Sequence, residues 1–255
     1  ARARHSALGS LADLADVVTY PSVFARDLCE ASGLATGKGV IWENGVRLPG
    51  EDFEEKRAAR RAADPRVTFG YVGGPSRIKG WPIIHDAFTG LGRDDVKGIV
   101  VDGSLDGSWW RDVSLTGLSG SWSVFPRFDQ AEMDGFYAEI DVLLFLSQWK
   151  ETFGLSIREA VARGIHVVQT DSGGSGEHRA ADPNKSLKIG DGPDVLRNRI
   201  VDILDHGLRL PTPLGVVSQS DQAAAFMELA ERVLSGAKSK SIGEGAERPG
   251  PMIAA

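Results

Sequence analysis

The 255-residue sequence predicts an α/β fold, a doubly wound parallel sheet with helices on its faces. Two observations predict it. Apolar runs of strand length recur at Val67–Val72, Gly98–Val101, Trp122–Phe125, Val142–Leu146, His166–Thr170 and Ser186–Ile189, and helical periods separate most of them. These runs are continuous rather than alternating, the pattern of strands buried on both faces by flanking helices. Ligands bind such sheets beyond the carboxyl ends of the strands, so the loops that follow strands carry the functional question.

The elements follow in order. Asp16–Tyr20 reads as a short strand, Ser22–Ala31 as a helix with Phe24 and Leu28 at i and i+4, and Gly39–Trp42 as a strand ended by Asn44-Gly45. In Leu48–Pro65 the acidic Glu51, Asp52, Glu54 and Glu55 precede the basic Lys56, Arg57, Arg60 and Arg61, the order a helix dipole favours. That stretch reads as a solvated helix or a linker. Pro82–Leu91 is a helix with its proline in the first turn. Asp129–Ile140 opens on Asp129 and Glu132 at capping-box spacing and carries Met133, Phe136, Tyr137 and Ile140 on its apolar face. Leu155–Arg163 stops before Gly164, Asp194–His206 follows, and Asp221–Leu234 is the last helix. Arg93–Ser121 is too rich in Gly and Trp for a helix, and Ser235–Ala255 has a disordered composition. No internal repeat is visible.

Composition excludes several functions. Lys and Arg total 29 against 35 Asp and Glu, a formal charge of −6 without a basic run. That argues against neutralising a nucleic-acid backbone and against a polybasic membrane anchor. No apolar stretch nears the roughly 20 residues of a spanning helix. The single cysteine, Cys29, cannot form an internal disulfide, and no Cys/His cluster has metal spacing. Ala1–Ser10 lacks an apolar signal core. The expected location is the cytoplasm.

Two loops carry the chemistry. The first, Gly73-Gly74-Pro75-Ser76-Arg77-Ile78-Lys79-Gly80, joins close-approach glycines, two cations and a helix start, the ingredients of a diphosphate cradle. It matches neither common phosphate-loop pattern, and a plain Gly-rich connection with two exposed bases stands beside the functional reading. The second, Glu151-Thr152-Phe153-Gly154-Leu155-Ser156-Ile157-Arg158-Glu159, follows the most apolar strand. Its first N–H groups would lie open at a helix start. Its two carboxylates would stand roughly 12 Å apart along a helix axis. That is too wide for a pair hydrolysing one bond, and suits one acceptor on each side of a bound phosphate. The structural alternative is that Ser156 and Glu159 form a capping box and that Glu151 answers the helix dipole.

These motifs, with Ala160-Val161-Ala162-Arg163-Gly164, Gly173-Gly174 and Glu177, resemble the donor-binding half of retaining glycosyltransferases of the two-domain GT-B fold. The similarity is to the large family 4-like group that includes sucrose-phosphate synthases and bacterial mannosyl- and glucosyltransferases. Its marks are a Glu, seven residues and a second Glu, with Phe-Gly just after the first. The segment Val72 to Gly80 is similar to its Val-Gly-Arg-x4-Lys-Gly loop. Upstream, Ala15-Asp16-Val17 through Ser22 and Ile41 to Val46 resemble the end of its N-terminal domain and the hinge entry.

The resemblance implies a Rossmann-like domain at residues 67–234, a hinge at 48–66, the trailing part of an N-terminal acceptor-side domain at 1–47, and a tail at 235–255. It implies that Lys79 neutralises the donor diphosphate, Glu151 accepts from the donor sugar and Glu159 holds the ribose. Phe153, Gly154 and Leu155 would offer backbone N–H groups, Gly73 and Gly74 a close approach, and Arg127, Phe128 and Met133 a base site. The family's arginine, five residues before the lysine, is Gly74 here, and Arg77 is expected to replace its charge. The implied partners are a nucleoside-diphosphate sugar and an unknown acceptor, without cofactor or metal. The chain on its own is expected to lack the rest of the N-terminal domain and to transfer little or no sugar. Attachment to the inner membrane face through that domain is left open. The alternatives are an inactive nucleotide-sugar-binding or regulatory module, or another sugar-nucleotide enzyme such as an epimerase or phosphorylase.

Overall fold

The computed structural model describes residues 2–178, 181–182 and 185–236. The chain begins with a helix, α1 (Arg2–Leu14), that the sequence reading misses because its apolar positions are interleaved with Ser6, Gly9 and Ser10. Strand β1 (Val18–Tyr20), helix α2 (Val23–Ala31) and strand β2 (Gly39–Ile41) follow, the two strands pairing in parallel. Ser22 caps α2 by accepting the Ala25 N–H at 3.0 Å.

Helix α3 (Phe53–Ala63) lies in the stretch read as a solvated helix or a linker; most of its residues are exposed, as that reading expects, but three of them anchor it. Phe53 is buried, and the Arg60 guanidinium forms a two-pronged contact with Asp141 at 2.8 and 2.9 Å. Arg61 reaches the same carboxylate. Burial pushes the Asp141 carboxyl up, but the Arg60 and Thr68 N–H donors outweigh it and hold the pKa below the ordinary value. The exposed-looking basic end of α3 is therefore its anchor, because a buried carboxylate requires paired donors.

From here strand and helix alternate: β3 (Val67–Tyr71), α4 (Trp81–Thr89), β4 (Val96–Val101), β5 (Ser121–Phe125), α5 (Met133–Glu139), β6 (Val142–Phe145), α6 (Leu155–Ala162), β7 (His166–Gln169), α7 (Pro193–Asp205) and α8 (Gln219–Leu234). The five later strands form one parallel sheet in the order β5-β4-β3-β6-β7. The order reverses at β3 and β6, whose carboxyl ends flank the switch point where ligands bind in such sheets. The expected α/β class with a parallel sheet is what the chain adopts.

The differences have local causes. Ser186–Ile189 is not a strand, since only Leu187 bridges to Thr170 beyond the edge of β7. The Asp129 and Glu132 bonds predicted for a capping box are present at 3.1 and 3.3 Å, but they close a turn and regular helix begins at Met133. Strand β5 sits at the edge, with Val124 45% exposed, so its apolar run is not covered on both faces. The tail predicted from Ser235 onward lies outside the described residues beyond Gly236. One core packs α4 and α7 on one face of the sheet, around Phe69, Phe88, Val100 and Leu144. The other packs α5 and α6 on the opposite face, around Ile99, Phe136, Leu143 and Ala160. Helix α8 turns back to residues 42–46, where Trp42 Nε1 donates to Gln222 O at 3.0 Å and packs on Phe226.

Candidate functional site

The carboxyl ends of β3 and β6 are neighbours, and the loops leaving them meet. Lys79 Nζ donates to Glu151 Oε1 at 2.6 Å, and Ser147 Oγ donates to the same oxygen at 2.7 Å. The lysine side chain is 42% exposed and the carboxylate 20%, so solvent reaches the pair. Residues 72 apart in sequence are thereby brought together by the sheet order.

The β3–α4 loop is shaped from below. The Tyr71 hydroxyl donates to Gly74 O at 2.8 Å and lies 3.2 Å from Lys79 O, which joins the two ends of the loop. Burial pushes that phenol's pKa far up, so it stays a donor. Gly80 is left-handed at φ 86°, and a Cβ there would strike the Leu146 carbonyl, so the α4 start requires glycine. Arg77 is exposed, and its side chain makes no hydrogen bond or ion pair among the described residues.

The β6–α6 loop is clamped. Arg158 is 4% exposed; its guanidinium donates to the carbonyls of Phe153, Gly174 (3.0 Å) and Ser175 (3.2 Å) and lies 4.1 Å from the Phe153 ring centroid. Burial lowers its pKa to about 10, still charged at neutral pH. The Gly174 N–H donates to Glu151 O and the Glu151 N–H to Ser172 O, which fixes the Glu151 backbone. Ser22 Oγ donates to Thr152 O, and Glu177 accepts the Val23 and Phe24 N–H groups, so α2 is tied to the same loop.

Helix α6 starts at Gly154, left-handed at φ 81° and without a side-chain cap. Among the described residues, the N–H groups of Phe153, Gly154, Leu155 and Ser156 donate to no acceptor of the chain. Four N–H groups without an acceptor at a helix start leave the positive end of the helix dipole unneutralised, an arrangement that favours an anion. Glu159, one helical stretch further, accepts from the Tyr137 hydroxyl at 2.8 Å. The capping-box reading of Ser156 and Glu159 is not the bonding found. Burial raises the Glu159 pKa, and the Tyr137 bond only partly offsets this.

The remaining candidates are spread. Gly73 lies against the Tyr71 ring and Gly74 is left-handed at φ 68°. Arg127 is exposed beyond β5, Phe128 is half-buried and stacked on Phe136 at 5.5 Å, and Met133 is 3% exposed inside the core. Lys79, Glu151, Phe153, Gly154 and Leu155 thus gather at one place, whereas Arg127, Phe128 and Met133 lie toward the β5 edge. Tyr71, Tyr137, Ser147 and Arg158 belong to the site and are missed by sequence reasoning. For Arg158 alone was a signal present, its place inside the Glu-to-Glu motif. Among the described residues no three His, Cys, Asp or Glu side chains are placed to hold a metal ion, and no helix is long and apolar enough to cross a membrane.

The family model of the glycosyl transferases group 1 matches residues 52–209. No curated protein matches the chain in sequence. Among solved structures, HepE from Anabaena, in complex with UDP and glucose, is similar with a TM-score of 0.68 and 20% identity, over 92% of this chain and 68% of that one. A glycosyltransferase from Rickettsia africae gives 0.67 at 16% identity over the same 92% and 68%. A sucrose-phosphate synthase from Thermosynechococcus elongatus gives 0.72 at 19% identity, over 92% of this chain and 63% of that one. At these identities the likeness is one of fold.

Proposed function

The chain belongs to the glycosyl transferases group 1 family, and from that premise we propose that it binds a nucleoside-diphosphate sugar and serves its transfer to an acceptor with retention of anomeric configuration. The observation that carries this reading is the Lys79–Glu151 pair, 2.6 Å apart at two adjacent strand ends beside the open start of α6. It supplies, in one cleft, a cation for a diphosphate, an acceptor for sugar hydroxyls and N–H groups for phosphate oxygens. HepE, seen with UDP and glucose, supports a UDP-sugar as one donor to test.

In this reading the bond between the anomeric carbon and the diphosphate oxygen breaks, and the diphosphate leaves with the electron pair. Lys79, Arg77 and the α6 start stabilise the charge that accumulates there. The acceptor hydroxyl attacks from the face the diphosphate leaves, and its proton passes to the departing phosphate. Glu151 orients the sugar and Glu159 the ribose. A partly exposed ion pair contributes only about 0–1 kcal/mol, so Lys79 and Glu151 exchange each other for donor groups at little cost. The matched structures are longer than this chain, and the acceptor side is assigned in this proposal to the part of the fold beyond the match.

Thermal unfolding of the chain with UDP-, GDP- and ADP-sugars tests the donor site. A ligand at about 100 times its Kd stabilises by about 2.7 kcal/mol. No shift with any of them overturns the reading. One observation favours a second reading, a binding module without transfer: Gly74 stands where the family has its arginine, and Arg77 makes no hydrogen bond or ion pair among the described residues. Sugar transfer by the full gene product, lost in its Glu151→Gln form, would exclude that alternative.

A further inference from the structure

The turn between β4 and β5 displays a tryptophan beside the donor loop. Trp110 is buried, donates from Nε1 to Val101 O at 2.8 Å and packs edge-on against Trp81 with centroids 4.6 Å apart. The turn ahead of it is braced by Asp102, itself 5% exposed, which accepts from the Ser104 N–H at 2.9 Å and from the Ser104 hydroxyl. Ser104 Oγ then accepts the Ser108 N–H at 2.8 Å. A turn fixed at both ends leaves the next side chain, Trp109, 39% exposed.

That ring rests on the donor loop. A Cβ on Gly74 would lie 2.8 Å from Trp109 Cε3, and one on Gly103 would lie 2.7 Å from Trp109 Cζ3. Both glycines follow strand ends of the sheet, and Tyr71 joins the Gly74 carbonyl to that of Lys79. An indole left partly exposed on a rigid turn beside the donor loop offers aromatic area that a ligand can cover. Binding pockets are lined by such faces, with a few polar groups fixing orientation. A hexose has that dual character, with hydroxyls around its rim and C–H bonds on its face.

We propose that Trp109 is a sugar-contact residue of the donor site. Its open face takes the C–H face of the transferred hexose, while Glu151 and Lys79 take polar groups at the rim. This rests on the donor reading given above, and goes beyond it by naming a residue that distinguishes the nucleotide sugar from the bare nucleotide.

Calorimetric titration with UDP, GDP and ADP, and with UDP-glucose, GDP-mannose and ADP-glucose, tests it on the chain as it stands. For the nucleotide that binds, Trp109→Ala should weaken the sugar conjugate about three- to tenfold and leave the free diphosphate unchanged. Trp109→Phe should keep most of the affinity. Leu105→Ala, in the same turn and 89% exposed, should change neither. Intrinsic fluorescence gives a readout independent of the alanine variant's folding: the sugar conjugate should quench the wild-type chain more than the diphosphate does, and Trp109→Phe should remove that difference. Equal weakening of conjugate and diphosphate, or no weakening of either, overturns the Trp109 assignment while the donor site stands. A wild-type chain that binds no nucleotide overturns both.

Discussion

The loop after β3 carries its charges in solvent, whereas the loop after β6 is clamped by a charge buried beneath it. Lys79 is 42% exposed and Arg77 has no partner among the described residues, and the shape of their loop comes from Tyr71 and from a glycine pressed on the Leu146 carbonyl. Across the cleft, Arg158 is 4% exposed and gathers three carbonyls from two segments. In the proposed donor site the difference separates two duties. A ligand-facing cation has to be exchangeable, so a weak surface pair suits it. A row of backbone N–H groups works only if its geometry is fixed in advance, and a buried donor with several acceptors fixes it.

The comparison breaks most visibly at Arg158. Arg158→Ala takes the guanidinium donor from the Phe153 and Ser175 carbonyls and leaves the Gly174 carbonyl with the Glu177 N–H alone, at about 1–3 kcal/mol for each buried group left unsatisfied. The expected loss in urea unfolding is about 3 kcal/mol, with nucleotide affinity falling as the α6 start loosens. A variant that unfolds at the wild-type midpoint would mean that the clamp is not what holds this loop.

Lys79→Met tests the opposite duty. Stability should change by less than about 1 kcal/mol, since only a partly exposed pair is lost. Binding of a nucleoside diphosphate should weaken about 10- to 100-fold, the worth of one or two charge-assisted hydrogen bonds. A large drop in stability with affinity preserved would reverse the assignment of the two loops.

How far the sequence reaches follows the same division. The exposed groups were legible, because glycines, a lysine and a glutamate after apolar strands state their chemistry in adjacent letters. The bracing was not. Arg158 stands inside the Glu-to-Glu motif, but nothing in its helix says that the turn holding Gly174 and Ser175, 16 and 17 residues on, closes over it. Arg60 and Arg61 read as a solvated face for the same reason, since their partner Asp141 lies 80 residues away. Adjacent letters do not tell Trp109 from Trp110, and the structure separates them by exposure, 39% against 5%. Periodicity placed the strands of the five-stranded sheet, yet proposed one more at Ser186–Ile189, where an apolar run has a single bridging residue.

Acid sharpens the contrast because only the clamped side has buried histidines near it. His178 Nε2 donates to Gln169 Oε1 at 2.8 Å, and burial, with a smaller contribution from Arg158, lowers its pKa to about 4. His166, at the start of β7, is lowered to about 4 by burial and by Arg199 and Lys185. Both are neutral in the folded chain where an unfolded histidine would be protonated. Their contribution is complete above about pH 6.5 and is lost as pH falls toward 4. By pH 5 the loss should reach on the order of 1 kcal/mol per histidine, after allowing for partial solvation. Hydrogen exchange between pH 7 and 5, corrected for the intrinsic rate, should show added opening at Gly173–Glu177 before Gly73–Gly80. Equal opening of both loops would count against the division.

The smallest effect belongs to Arg77, and it decides whether the unclamped loop works by charge at a distance or by contact. Its side chain has no partner to lose among the described residues, so Arg77→Ala should leave the unfolding midpoint unchanged. If it acts only through its field, diphosphate affinity should fall about two- to threefold at 0.01 M salt, where the screening length is about 30 Å. At 1 M salt, with screening over about 3 Å, the difference from wild type should vanish. A loss that persists at high salt would instead mean a direct hydrogen bond to the phosphate, formed when the loop moves onto its ligand. The β3 loop would then have two contacting cations, and Arg77 would stand in for the arginine missing at Gly74.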